Sequence, residues 1–251
     1  MRTPEGSLCV AAFQREPKYD DVAGVVERTY EDLEWCDAQG VDLAIFPECY
    51  LQGYATEQTR IEQRALSTDD PAVEQILERF ATIRATVILG FVERRFARFY
   101  NSAMVLSAGR MVGVYSKANP NEQGFQAGKE FPVFEVAGWK FGINICNDAN
   151  FPETAQQIAD QGARLLCYPL NNMLRPPNAD LNRERSVESL QARALQTGCW
   201  VISADVVGKI TGYHANEISY GCSCIVRPDG KVVARATELC EDVAMFTLNP
   251  L

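Results

Sequence analysis

Two hydrophobic periods alternate along the chain and divide it into strands and helices. Ser7 to Gln14 is a short apolar run of strand length, and Asp20 stands where it can cap a helix. In that helix Val22, Val25, Val26, Tyr30, Leu33 and Cys36 recur at helical spacing. Val41 to Glu48 is again a buried strand, and a helix follows over about 71–85. Apolar alternation then marks strands near 87–94, 101–106 and 111–117. Phe141, Ile143 and Ile145 repeat every second residue, and Pro152 suits the first turn of a helix running to about Gln161. A strand over 164–170 and a helix over about 182–197 complete this part. From Trp200 onward the pattern is mainly strands, with a hairpin turn at Pro228-Asp-Gly230. Such alternation implies α/β layers. No linker-like composition shift and no internal repeat divides the chain, so one domain over residues 1–251 is expected.

Three strands in this order end on a chemically active residue. Ala44-Ile-Phe46-Pro47-Glu48 delivers a carboxylate, Val114-Tyr115-Ser-Lys117 an ammonium, and Ile143-Asn-Ile145-Cys146 a thiol. Taken singly, Glu48 and Lys117 read as solvated loop charges and Cys146 as a small core residue. Together they form a nucleophile, a base and a cation. Cys146 sits at a strand-to-helix elbow, where backbone N–H groups can converge on an oxyanion and a helix N-terminus favours thiolate over thiol.

These segments resemble the nitrilase, or carbon–nitrogen hydrolase, superfamily, whose mark is a Glu, Lys, Cys triad in that chain order. Phe46-Pro47-Glu48 with Gly53-Tyr54 resembles the glutamate motif and Tyr115-Ser-Lys117 the lysine motif. Cys146-Asn-Asp148 with Phe151-Pro152-Glu153 resembles the nucleophile motif. Asn101-Ser102, Arg193-Ala194 and Gly221-Cys-Ser223 extend the likeness across most of the chain. The resemblance implies a four-layer α-β-β-α sandwich, which periodicity alone does not separate from a doubly wound sheet. It also implies catalysis by Cys146 as nucleophile, Glu48 as acid and base, and Lys117 as oxyanion donor with the backbone of Asn147. Glu122 is the candidate for a second, substrate-positioning glutamate, although counting back from Phe125 falls nearer Asn121. Tyr54, Asn147, Asn171 and Asn172 are candidates for contacting substrate, the last two on a loop over 171–177 that is expected to wall the pocket. Cys146-Asn147-Asp148 resembles the nucleophile motif of N-carbamoyl-D-amino acid amidohydrolases. Their two following arginines are replaced here by Ala149-Asn150, and Arg175 is a candidate to compensate.

The implied activity is cofactor-free hydrolysis of a small amide or N-carbamoyl compound with release of ammonia. Nitrile hydrolysis is the alternative, and a non-catalytic binding protein on the same scaffold is a second. Dimers or larger homo-oligomers are expected from the resemblance. The net charge of −9 disfavours nucleic acid as a partner. No apolar run is long enough to span a bilayer, and the N-terminus lacks a signal-peptide core, so a cytoplasmic location is expected. Nine cysteines are an odd number and fall largely in apolar strands, which fits free thiols. Cys222, Cys224 and Cys240 lack the paired spacing of a zinc site, and the single histidine, His214, carries no local mark of a catalytic base or a ligand. No metal is expected.

Overall fold

The computed structural model describes residues 6–210 and 216–250; His214 lies outside them. The elements in chain order are β1 (Leu8–Gln14), α1 (Val22–Gln39), β2 (Leu43–Ile45), α2 (Gln58–Arg64), α3 (Pro71–Arg79), β3 (Thr86–Arg95), β4 (Arg98–Ser107), β5 (Arg110–Ser116), β6 (Val133–Val136) and β7 (Trp139–Ile143). They continue as α4 (Pro152–Ala159), β8 (Leu165–Pro169), α5 (Pro176–Thr197), β9 (Trp200–Ala204), β10 (Gly208–Ile210), β11 (Glu217–Ser219), β12 (Cys224–Val226), β13 (Val232–Arg235) and β14 (Asp242–Leu248). Among the described residues the strands make two mixed six-stranded sheets, ordered β14-β1-β2-β3-β4-β5 and β13-β12-β9-β8-β7-β6, and a two-stranded ribbon of β10 and β11.

The layering follows from strands that are apolar on both faces. In β1, Leu8, Val10 and Ala12 pack against the second sheet, meeting Phe141 and Ile143 of β7 and Ile202 of β9. The intervening Cys9, Ala11 and Phe13 pack outward against Val25, Leu33 and Cys36 of α1 and Ile76 of α3. The second sheet repeats the arrangement, with Leu166, Tyr168 and Val201 covered by Ile158 of α4 and Val187, Leu190 and Ala194 of α5. The architecture is therefore the α-β-β-α sandwich, and a single doubly wound sheet is ruled out.

Strand direction brings the three reactive residues to one end. β2 runs parallel to β3, β4 reverses and β5 reverses again, so the exits of β2 and β5 lie on the same edge of the first sheet. β7, β8 and β9 are parallel to one another in the second sheet. The two edges are joined by backbone, because the N–H of Glu48 donates to the carbonyl of Leu170 at 3.1 Å, just past β8. Parallel strands present their carboxyl ends as a site in this way.

Several local expectations are corrected. The cap of α1 is Asp21, whose carboxylate accepts from the N–H of Gly24 at 3.0 Å; Asp20 adopts a left-handed φ of 60° and instead receives the guanidinium of Arg64 at 2.6 Å. β2 stops at Ile45, since the Phe46 N–H makes the last ladder bond, to the carbonyl of Ile88 at 2.9 Å, and Pro47 has no N–H to give. α3 ends at Arg79, six residues before the predicted Ala85. The long helix starts at Pro176 rather than near Asn182, using Pro at its first turn as helices tolerate. α2 and β6 are additional to the predicted elements, each too short for its period to stand out. The hairpin at Pro228-Asp-Gly230 does join β12 to β13.

One glycine holds this end together. A Cβ on Gly90 of β3 would lie 2.3 Å from the carbonyl oxygen of Pro47 and 3.0 Å from the Cα of Glu48, so β3 passes beneath the glutamate turn with no room for a methyl group. Gly90→Ala is expected to lower stability by about 1–3 kcal/mol, the usual cost of overpacking. Urea unfolding checks this, and an unchanged midpoint would show that the turn yields without strain.

Candidate active site

Lys117 follows β5 directly, and its side chain is almost fully buried between two carboxylates. Its Nζ donates to Glu48 Oε1 at 2.7 Å and to Glu122 Oε1 at 3.3 Å. Burial, the largest single influence, would drive the ammonium toward neutrality, but the charge and hydrogen bond of Glu48 together with further negative groups around it hold its pKa above the ordinary lysine range. The same Oε1 of Glu48 accepts from Asn101 Nδ2 at 2.7 Å, so lysine and asparagine together fix the carboxylate. The second oxygens of Glu48 and Glu122 are buried and have no partner. Glu122, with its carboxyl protonated, can hold its proton on that oxygen, so Glu48 is left with one free acceptor beside the cation, an arrangement that favours a ligand bearing an N–H donor.

Glu122 is buried and takes a hydrogen bond from Tyr54 Oη. Burial, and after it the negative charge of Glu48, pushes its carboxyl up to about 8. The neighbouring Asn121 is exposed and lines the cavity instead. Tyr54 is held by its own carbonyl, which accepts from Arg64 at 2.9 Å.

Cys146 lies three residues after the end of β7 and opens a 3₁₀ turn over Cys146–Asn150, which leads into α4 at Pro152. Its φ of 43° is left-handed, a conformation that non-glycine residues adopt at a cost and that recurs at functional turns. Asp148 pins this turn. Its Oδ2 accepts from Tyr115 Oη at 2.8 Å and from the Ile145 N–H at 2.9 Å; its Oδ1 accepts from the N–H of Asn119 at 2.8 Å and from Asn119 Nδ2 at 3.0 Å. Asn147 Nδ2 adds a bond to the Asn119 carbonyl at 2.9 Å.

The thiol itself departs from expectation. Burial, then the charge of Glu48, pushes its pKa well above the ordinary thiol value, and Lys117 and the backbone of Asn171 offset this only in part. A resting thiolate favoured by the helix is therefore not what this turn creates. Cys146 is held as a neutral thiol whose proton must be taken by a base. Seven of the other cysteines are buried free thiols, while Cys240 is exposed, so accessibility alone does not single out Cys146.

Lys117 and Cys146 face a cavity of about 760 Å³, which is also lined by Tyr54, Asn147, Asn171 and Asn172. Asn172 is a brace more than a free contact. Its N–H and Nδ2 donate to the two oxygens of Asp205 at 3.0 and 2.7 Å, and its Oδ1 accepts from Asn182 Nδ2 at 2.8 Å. Asp205 has no exposed surface, and burial pushes its carboxyl up to about 7 against the hydrogen bonds from Asn172. Arg175 is exposed at the start of α5 and does not line the cavity; the arginine that does is Arg185, nearly three turns further along. Sequence reasoning missed Asp205, Asn182 and Arg185. Asp205 carried a usable signal, as the lone carboxylate in the apolar run from Trp200 to Val207.

No group of three or more His, Cys, Asp and Glu side chains among the described residues is arranged to hold a metal ion. No helix among them is long and apolar enough to cross a membrane.

A thiol-bearing turn opposite a buried lysine between two glutamates, at one end of an α-β-β-α sandwich, defines the nitrilase class of site. The carbon-nitrogen hydrolase family matches residues 9–250, and the chain belongs to that family. The protein named "Hydrolase in pqqF 5′ region" of Pseudomonas protegens is 32% identical over 240 residues, spanning 92% of this chain and 79% of its own length. A probable nitrilase of Schizosaccharomyces pombe is 28% identical over 252 residues, covering 96% of this chain and 88% of its own. Among solved structures, an amidase from Nesterenkonia sp. superposes with a TM-score of 0.84 over 99% of this chain and 92% of its own at 19% identity, a likeness of fold.

The two raised carboxyls have a consequence for stability. Below the ordinary carboxylate range, near 4, Glu122 and Asp205 are protonated in both the folded and the unfolded chain. As pH rises toward about 7 and 8, the unfolded chain ionises while the folded one keeps both protons, so folding stability falls. Chemical denaturation is expected to give a lower midpoint at pH 8.5 than at pH 5.5, with Glu122→Gln and Asp205→Asn each flattening the slope. A slope that neither substitution changes would assign the dependence to other groups.

Proposed function

We propose that the protein hydrolyses the C–N bond of a small amide or N-carbamoyl compound through a thioester on Cys146, releasing ammonia. The observation that carries this reading is the buried Lys117, held by Glu48 at 2.7 Å and by Glu122 at 3.3 Å behind a half-buried thiol on a constrained turn. Glu48 takes the proton from sulfur as the thiol adds to the carbonyl carbon. The oxyanion that forms is met by the ammonium of Lys117 and the backbone N–H of Asn147, a stabilisation worth about 3–4 kcal/mol per donor in comparable sites. Glu48 then passes the proton to nitrogen, the C–N bond breaks, and ammonia departs. Water, deprotonated by the same carboxylate, cleaves the thioester and returns the thiol. Glu122, with its raised pKa, orients Lys117 and the substrate nitrogen; Tyr54 and Asn171 complete the wall around the reacting carbon.

The free oxygen of Glu48 favours an amide over a nitrile. An amide nitrogen brings an N–H group to satisfy it, whereas a nitrile nitrogen has none and leaves this buried acceptor unpaired. Matched pairs of short amides and nitriles differing only at the reacting carbon test this by ammonia release and product mass. The amide is expected to exceed the nitrile by at least about a hundredfold in kcat/KM, roughly 2.7 kcal/mol of transition-state preference. Acyl adducts should appear on Cys146 and vanish in Cys146→Ala. Faster nitrile turnover would overturn the amide preference, and an absence of both turnover and adduct would favour a non-catalytic scaffold.

A further inference from the structure

The cavity is far larger than the amide group it is proposed to process. Its volume of about 760 Å³ lies in the range that holds ligands of many heavy atoms, so a substrate carbonyl at Cys146 leaves room for a tail reaching α5. There α5 presents Asn182, Arg185, Ser186 and Ser189, at intervals of three and four residues that place them on one helical face, and all four line the cavity. Of the cations on that lining, which also carries the carboxylates Glu188 and Glu217, Lys117 is already taken by Glu48 and Glu122. Arg185 is different. Among the described residues its guanidinium has no hydrogen-bond or ion-pair partner, whereas Arg183 on the same helix is paired with Glu238. Glu188, one turn on, also lines the cavity without pairing to Arg185.

Resting on the amide reading above, we infer that the substrate carries a carboxylate at the far end of its tail and that Arg185 receives it. A guanidinium fork matches a carboxylate with two parallel N–H···O bonds, and its planar geometry discriminates against neutral and cationic tails. Asn182 and Ser186, joined by a 3.0 Å hydrogen bond, fix the helix face beside it. Arg185 is thus a specificity-determining residue, remote from the reacting atoms.

Three primary amides of similar length separate the possibilities: glutaramate with an anionic tail, hexanamide with a neutral one, and 5-aminopentanamide with a cationic one. The wild-type protein is expected to favour glutaramate over hexanamide by at least about tenfold in kcat/KM, mainly through KM, the size of one charge-assisted hydrogen bond. Arg185→Met should bring that ratio close to one, Arg185→Lys should restore part of it, and Arg185→Glu should shift preference to 5-aminopentanamide. Arg185 is exposed, and far-UV circular dichroism with a thermal melt confirms that each variant folds. The same three amides titrated calorimetrically into Cys146→Ala, with and without Arg185→Met, report the tail preference independently of turnover. Equal handling of the three tails, or a preference that Arg185→Met leaves intact, overturns the inference. Absence of turnover together with an Arg185-dependent preference for glutaramate in binding would overturn only the hydrolase reading.

Discussion

The rest of the site depends on Asp148. This carboxylate has no exposed surface and accepts four hydrogen bonds, from Tyr115, Ile145 and twice from Asn119. Tyr115 belongs to β5 in the first sheet, Asn119 to the loop that carries Lys117, and Ile145 to the end of the strand that delivers Cys146 from the second sheet. A single side chain therefore sets the distance between nucleophile and cation across the sandwich. Four hydrogen bonds offset the cost of burying this side chain, and removing one partner would leave a buried acceptor unmet where that is most costly. The left-handed Cys146 persists because the flanking peptide is over-determined in this way.

Within that frame the electrostatics work by shared restraint. Lys117 and Glu48 neutralise one another in surroundings that exclude water, and such a pair is stable only while both members are present. Glu122 lies on the far side of the ammonium, where burial and the charge of Glu48 favour its protonated form. The thiol is subject to the same field, which explains why it rests protonated instead of as thiolate. In the proposed reaction, attack and proton transfer are consequently coupled: sulfur would gain charge only as a carbonyl oxygen gains it too, next to Lys117. Nucleophilicity is thereby confined to the moment when a substrate is in place.

The parts of this site that were legible in the sequence are those whose position follows from strand termination. Phe46-Pro47-Glu48, Tyr115-Ser-Lys117 and Ile145-Cys146-Asn147 each show an apolar run broken by a residue type that cannot belong to a strand interior, and strand ends converge in layered α/β folds. Glu122 was readable only through its place between lysine and cysteine, since a loop has no period, and its neighbour Asn121 could not be set aside until the burial of the two was seen. Arg175 and Arg185 show the limit. Arg175 falls just before α5, which begins at Pro176, six residues earlier than its apolar pattern suggests, and stands exposed, whereas Arg185 lies on the helical face that lines the cavity. The α1 cap failed for a related reason: Asp20 and Asp21 are equivalent to a rule about residue type, and the guanidinium of Arg64, forty-four residues away, takes Asp20. Long-range partners of this kind leave no local trace.

Asp205 links the reacting end of the cavity to its tail end. From this buried carboxylate a run of hydrogen bonds passes through Asn172 to Asn182 and on to Ser186, so the loop beside the thiol and the face of α5 are held by one acceptor. Asn171, the residue before Asn172, lines the cavity together with Cys146. Where Asp148 fixes sulfur relative to lysine, Asp205 fixes the pocket wall relative to sulfur, and the distance from Cys146 to Arg185 becomes a property of the scaffold instead of a loop. A rigid span of that kind selects tails by length as well as by charge, because a shorter chain leaves the guanidinium unpaired and a longer one cannot reach it without moving the carbonyl off the sulfur.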